Sequence, residues 1–87
     1  MKALRKYLKL ADVRKEKIET KKNLGEELKT CRANCKMTQE FVAESLGVSR
    51  QAVSKWENGT SDPSTSNLLA LAKLYGVSAE EILSKIK

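Results

Sequence analysis

Between Ser49 and Gly59 the apolar and polar positions fall on opposite sides of a short helix. At about 100° per residue, Ala52, Val53 and Trp56 point one way, while Arg50, Gln51, Ser54, Lys55 and Asn58 occupy the opposite arc. Ser49 is placed to cap the first turn with its hydroxyl, and Gly59 to end the helix in the left-handed conformation. One side packs and the other presents hydrogen-bond donors. Upstream, Thr38 to Val48 shows a second short helical pattern closing on Gly47, with Val48 at the corner and Ala43 small enough to let two helix backbones approach.

The rest of the chain divides by the same criteria. Asn23-Leu24-Gly25-Glu26 carries the N-cap and third-position acid of a capping box, so a helix is expected to start at Asn23. Leu24, Leu28, Cys31 and Cys35 then form an apolar stripe expected to be buried. After Gly59, Thr60 to Ser66 is rich in turn formers; Pro63 and the hydroxyls after it begin a further helix whose N-cap is Asp62 or Ser64. Leu68, Leu71, Ala72 and Tyr75 make its inner face, and Gly76 stops it. Ser78-Ala79-Glu80-Glu81 is a second capping box, opening a last helix anchored by Ile82 and Leu83. Leu69 and Leu74 are surplus to the inner face, either an apolar surface in need of cover or scattered exposed leucines. Residues 1–22 place Leu4, Tyr7, Leu8, Ala11 and Ile18 at helical spacing among lysines. A basic amphipathic extension is expected there, helical to about residue 19, although its lysine-rich second half equally fits a solvated tail.

Two short helices joined through a glycine corner, the second with one face of donors, make a helix-turn-helix. A B-DNA major groove about 12 Å wide admits one helix, arginine pairs bidentately with guanine, and glutamine with adenine. Arg50, Gln51 and Lys55, with no acid before Glu57, suit that groove. A polar solvated face is the competing reading of the same residues.

The wording from Thr38 to Gly59 resembles the phage-repressor-like helix-turn-helix family, the Xre or Cro/repressor class. Leu24-Gly25, Lys29, Arg32 and Met37-Thr38-Gln39 resemble the family's first helix and its junction; Pro63-Ser64, Leu68-Leu69, Leu71-Ala72 and Gly76-Val77-Ser78 resemble its last two helices. The resemblance implies an all-α, five-helix lambda-repressor-like domain over residues 23–87, with residues 1–22 an extra basic segment. It implies sequence-specific binding of double-stranded DNA by a transcription regulator, a repressor, in the cytoplasm. By position, Ser49, Arg50, Gln51, Ser54 and Lys55 would approach base edges. Arg32, Thr38, Gln39, Asn58, Thr60 and Ser61 would hold phosphates, Gln39 also bracing Arg50. Arg32 and Glu57 would form a structural ion pair. A homodimer, at least on DNA, is expected, because one short reading helix covers few base pairs. Relatives that use the fold as a protein-binding adaptor or antitoxin supply the alternative function. Phe41, Thr65 and Lys36 depart from the family's usual polar, leucine and glycine residues.

Charge adds one qualification. The formal net charge of the 87 residues is +6. Residues 1–22 hold nine Lys or Arg against three Asp or Glu, whereas residues 23–87 hold eight of each sign. DNA affinity in the domain must therefore come from where its bases sit rather than from bulk charge. No apolar run approaches the roughly 20 residues needed to span a bilayer, and the charged start is unlike a signal peptide.

Candidate chemistry is sparse. With no histidine and two cysteines, the chain lacks an ordinary general base and a metal-ligand set, and no phosphate-binding glycine loop appears. No enzyme activity, cofactor, metal or small-molecule ligand is expected. A disulfide from Cys31 to Cys35 within one helix would be strained, so small buried thiols are the expected state. With the chain closing soon after its fifth helix, no ligand-sensing domain is expected.

Overall fold

Four hydroxyl side chains open four of the helices. In the computed structural model, which describes residues 23–85, Thr38, Ser49, Ser64 and Ser78 each accept a hydrogen bond from the backbone N–H three residues on, at 3.0 to 3.2 Å. Each thereby satisfies one of the donors that a helix start leaves free. The described residues form five helices and no strand. They are α1 (residues 23–34), α2 (Gln39–Leu46), α3 (Arg50–Asn58), α4 (Thr65–Tyr75) and α5 (Ala79–Ser84). The N-terminal extension expected over residues 1–22 lies outside the described residues.

Local chemistry accounts for most boundaries. Ser64, rather than Asp62, caps α4, and Pro63 stands before the cap rather than in the helix. At α5 the Ser78 N–H also donates to the Glu81 carboxylate, completing the capping box. Residue 23, the first described, is already helical, so the start of α1 expected at Asn23 lies at the edge of the described residues. The corner between α2 and α3 needs a left-handed residue, and Gly47 supplies it at φ 71°. The following N–H, of Val48, returns to the Ala43 carbonyl at 3.0 Å. Where α1 ends, the same conformation falls on a residue with a side chain: Lys36 has φ 58°.

Each helix gives the core one fully buried side chain: Leu28, Val42, Val53, Leu71 and Ile82. Burying a side chain of this kind is worth about 1.5 to 3 kcal/mol, so no single helix carries the domain. Leu24, Cys31, Ala43, Trp56, Ala72 and Tyr75 complete the buried set. Four expected positions differ, the first being Leu68, only half-buried on the inner face of α4. Cys35 sits in the turn after α1 and is half-buried, because the helix has ended before it. Ala52 is half-buried at the margin of its apolar arc. Leu83 is exposed, since the short α5 turns Ile82 inward and Leu83 away. Leu69 and Phe41 are exposed, while Leu74 packs partly against the core.

One further contact sets how α1 meets α3. Gly25 is buried, and a Cβ there would lie 2.5 Å from the Glu57 carbonyl oxygen and 2.6 Å from that of Trp56. Backbone therefore touches backbone at this crossing. The Cys31 thiol lies 3.7 Å from the Glu27 carboxylate, and burial, with that neighbour, raises its pKa. Both cysteines are free.

Candidate nucleic-acid interface

Helix α3 shows the two faces its sequence implies. Val53, Trp56 and Glu57 are buried, while Ser49, Arg50, Gln51, Lys55 and Asn58 are exposed and Ser54 is half-buried. Its single acid is turned inward, so the outward face carries two cations and no carboxylate. A helix of nine residues with this surface can enter a groove and offer donors to whatever lies there.

Behind the face lies a polar chain. Arg32 on α1 meets Glu57 on α3 as a fork, Nε donating to Oε2 at 2.7 Å and Nη2 to Oε1 at 3.1 Å. Its Nη1 donates to the Met37 carbonyl at 2.9 Å. The Glu57 side chain is 3% exposed and that of Arg32 17%. Hydrogen bonding to Glu57 raises the Arg32 pKa against the opposing effect of burial. Gln39, in the first turn of α2, donates from Nε2 to Glu57 Oε1 at 3.1 Å and accepts from Arg50 Nη1 at 3.4 Å. Arg32, Glu57, Gln39 and Arg50 therefore form one line from interior to surface.

The remaining candidates flank this line. Thr38 caps α2 beside Gln39, placing a helix N-terminus, where anions are favoured, next to the start of α3. At the other end of α3, Thr60 donates to the Lys55 carbonyl at 3.2 Å, the Ser61 N–H shares that acceptor, and Asn58 Nδ2 lies 3.5 Å from Ser54 Oγ. The hydroxyl of Ser49 is an acceptor to the Ala52 N–H and keeps its own proton to donate. Of the five guanidinium N–H groups of Arg32, three are taken within the domain. Its first task is structural.

Periodicity did not single out Gln39 as a partner of Glu57, the Met37 carbonyl as an anchor for Arg32, or Gly25 as a crossing point. A glycine inside a helix pattern was the one available signal. Beneath the pair, Tyr75 is buried and its hydroxyl meets no partner among the described residues. Burial, with Glu57 adding and Arg32 opposing, pushes its pKa well up. The described residues hold no cluster of three or more potential metal ligands, and no helix among them is long and apolar enough to cross a membrane.

Comparison with known proteins finds similar chains and a similar fold. The helix-turn-helix family profile matches residues 28–82. The transcriptional activator BcrR of Enterococcus faecalis is 42% identical over 60 residues, covering 69% of this chain and 29% of its own length. The transcriptional regulator DicA of Escherichia coli (strain K12) is 42% identical over 67 residues, 76% of this chain and 50% of its own. The chain thus spans half or less of those two relatives. The P22 c2 repressor, in its crystal structure in complex with synthetic operator 9T, superposes with a TM-score of 0.67 at 34% identity, covering 71% of this chain and 94% of that one.

Proposed function

The chain belongs to the helix-turn-helix family, and from that premise we propose that it is a transcription regulator that binds specific double-stranded DNA by laying α3 in the major groove. The observation that carries this reading is the acid-free outward face of α3, kept so by the burial of Glu57. An adaptor would have no need of such a surface. The similarity to a repressor crystallised with synthetic operator supports the same reading.

In this proposal Arg50 and Gln51 read base edges, Ser49 and Lys55 approach neighbouring bases, and Ser54 lies near the backbone or a thymine methyl. Thr38, Gln39, Asn58, Thr60 and Ser61 hold phosphates and set register, together with the N–H groups that Arg32 has left. Two copies bind as a two-fold homodimer, with half-sites about 34 Å apart along the duplex. Residues 1–22 carry the net charge and add sequence-independent attraction, each neutralised phosphate steepening the salt dependence by about 0.9. The protein acts in the cytoplasm, where the DNA is.

Selection of bound sequences from a random DNA pool is the primary test: a reproducible palindrome is expected. Arg50→Ala should then weaken binding to that site by about 1 to 3 kcal/mol and barely affect scrambled DNA. Equal loss on both would remove Arg50 from the base-reading set.

A further inference from the structure

We propose that Glu57, a residue with no access to DNA, is a positioning residue for base reading: through Gln39 it decides which end of that amide faces Arg50, and so where the Arg50 guanidinium is held. The inference rests on the reading of Arg50 as a base-contacting residue.

A glutamine amide has a donating NH2 end and an accepting oxygen end. The two neighbours of Gln39 have opposite needs. Glu57 Oε1 can only accept, and it lies 3.1 Å from Nε2; Arg50 Nη1 can only donate, and it lies 3.4 Å from Oε1. Turned over, the amide would set its oxygen against a carboxylate and its NH2 against a guanidinium. The inner end of this line cannot adjust. Both Glu57 oxygens are gripped by Arg32, which is itself tied to the Met37 carbonyl, and the carboxylate is almost wholly buried. The outer end is an exposed arginine on a flexible stem with much rotamer freedom to lose. Orientation therefore passes outward, from the rigid buried pair to the surface donor. An arginine held before the duplex arrives surrenders less freedom on binding than one that must be ordered there.

Glu57 should accordingly influence preference at the base pair beneath Arg50 more than at any other position. The test combines two measurements on the full chain. In the 15N-labelled free protein, one Gln39 side-chain amide proton is expected well downfield, as a carboxylate-bonded proton, and Glu57→Gln should return it to the ordinary range. In sequence selection, Glu57→Gln should lower the base preference under Arg50 by about fivefold, the worth of one net hydrogen bond. Gln39→Leu should lower it equally, and the double variant should lose no more than either single one, as expected for members of one line. Preference retained in Glu57→Gln, additive losses in the double variant, or a wild-type amide proton in the ordinary range would each overturn the proposal. Should Glu57→Gln not fold, Gln39→Leu decides: a uniform loss at every position would make Gln39 a phosphate clamp only and overturn it. Arg50→Ala keeps the two ideas apart. If it leaves the preference intact, the base-reading assignment falls and this inference with it; if it abolishes the preference while Glu57→Gln does not, this inference alone falls.

Discussion

Arg32 and Glu57, from helices that meet nowhere in sequence, close a fork of 2.7 and 3.1 Å in the interior, joining α1 to the base of α3. Removing one partner of a buried pair leaves the other charge without compensation, so Glu57→Ala is expected to destabilise by about 3 to 5 kcal/mol. The contact between Lys85 and Glu27, 3.6 Å long with the lysine 65% exposed, is the internal control. Lys85→Ala should cost no more than about 1 kcal/mol. Urea unfolding of both variants checks the contrast. Replacing both members, Arg32→Met with Glu57→Leu, should recover much of the loss, because neither charge is then stranded.

Gly25→Ala opposes two terms. Alanine is favoured over glycine within a helix by about 1 kcal/mol. The added Cβ, however, meets two backbone carbonyl oxygens that have no rotamer by which to retreat. The clash should win, with a net loss of at least about 1 to 3 kcal/mol as α1 is pushed off α3. A fall in the urea midpoint is the expected result; a gain would show that the crossing can relax.

Lys36→Gly should do the reverse. The left-handed conformation costs a side-chain-bearing residue about 1 to 2 kcal/mol, part of which is offset by the extra freedom glycine has when unfolded. A net gain of about 0.5 to 1 kcal/mol is expected, read as a higher melting temperature. Operator specificity should not change, since the residue is exposed in the turn and belongs to none of the base-reading positions.

Tyr75→Phe tests a buried hydroxyl without a partner among the described residues. At neutral pH the change should be neutral or stabilising by up to about 1 kcal/mol, because the desolvated polar group is removed. The tyrosine pKa is raised in the folded state. Its contribution is therefore fully present below the unfolded value of about 10 and declines as pH rises above it. Urea unfolding from neutral to alkaline pH should show a shallower alkaline decline in the variant than in the parent. Parallel curves would mean that Tyr75 is not the group responsible.

Helix starts and stops were legible from the sequence because they are local events. A serine hydroxyl reaches an N–H three residues away, and a glycine takes its own backbone left-handed, so Ser49, Ser78, Gly47, Gly59 and Gly76 announce their roles without reference to the rest of the chain. The donor face of α3 was legible for the same reason, since helical periodicity alone separates Arg50, Gln51 and Lys55 from Val53 and Trp56. Distant partners decided the rest. Glu57 lies beside Trp56 at the margin of the apolar arc, and periodicity cannot say whether a carboxylate there is solvated or buried; the answer comes from Arg32, 25 residues away, and from Gln39 on a third helix. Gly25 inside a helix signals a close approach but not which carbonyls it must admit, and the choice of Ser64 over Asp62 depended on which hydroxyl or carboxylate the arriving backbone could reach. Periodicity and capping involve neighbours within one turn, whereas charge burial and backbone approach are set by helices brought together only when the core closes.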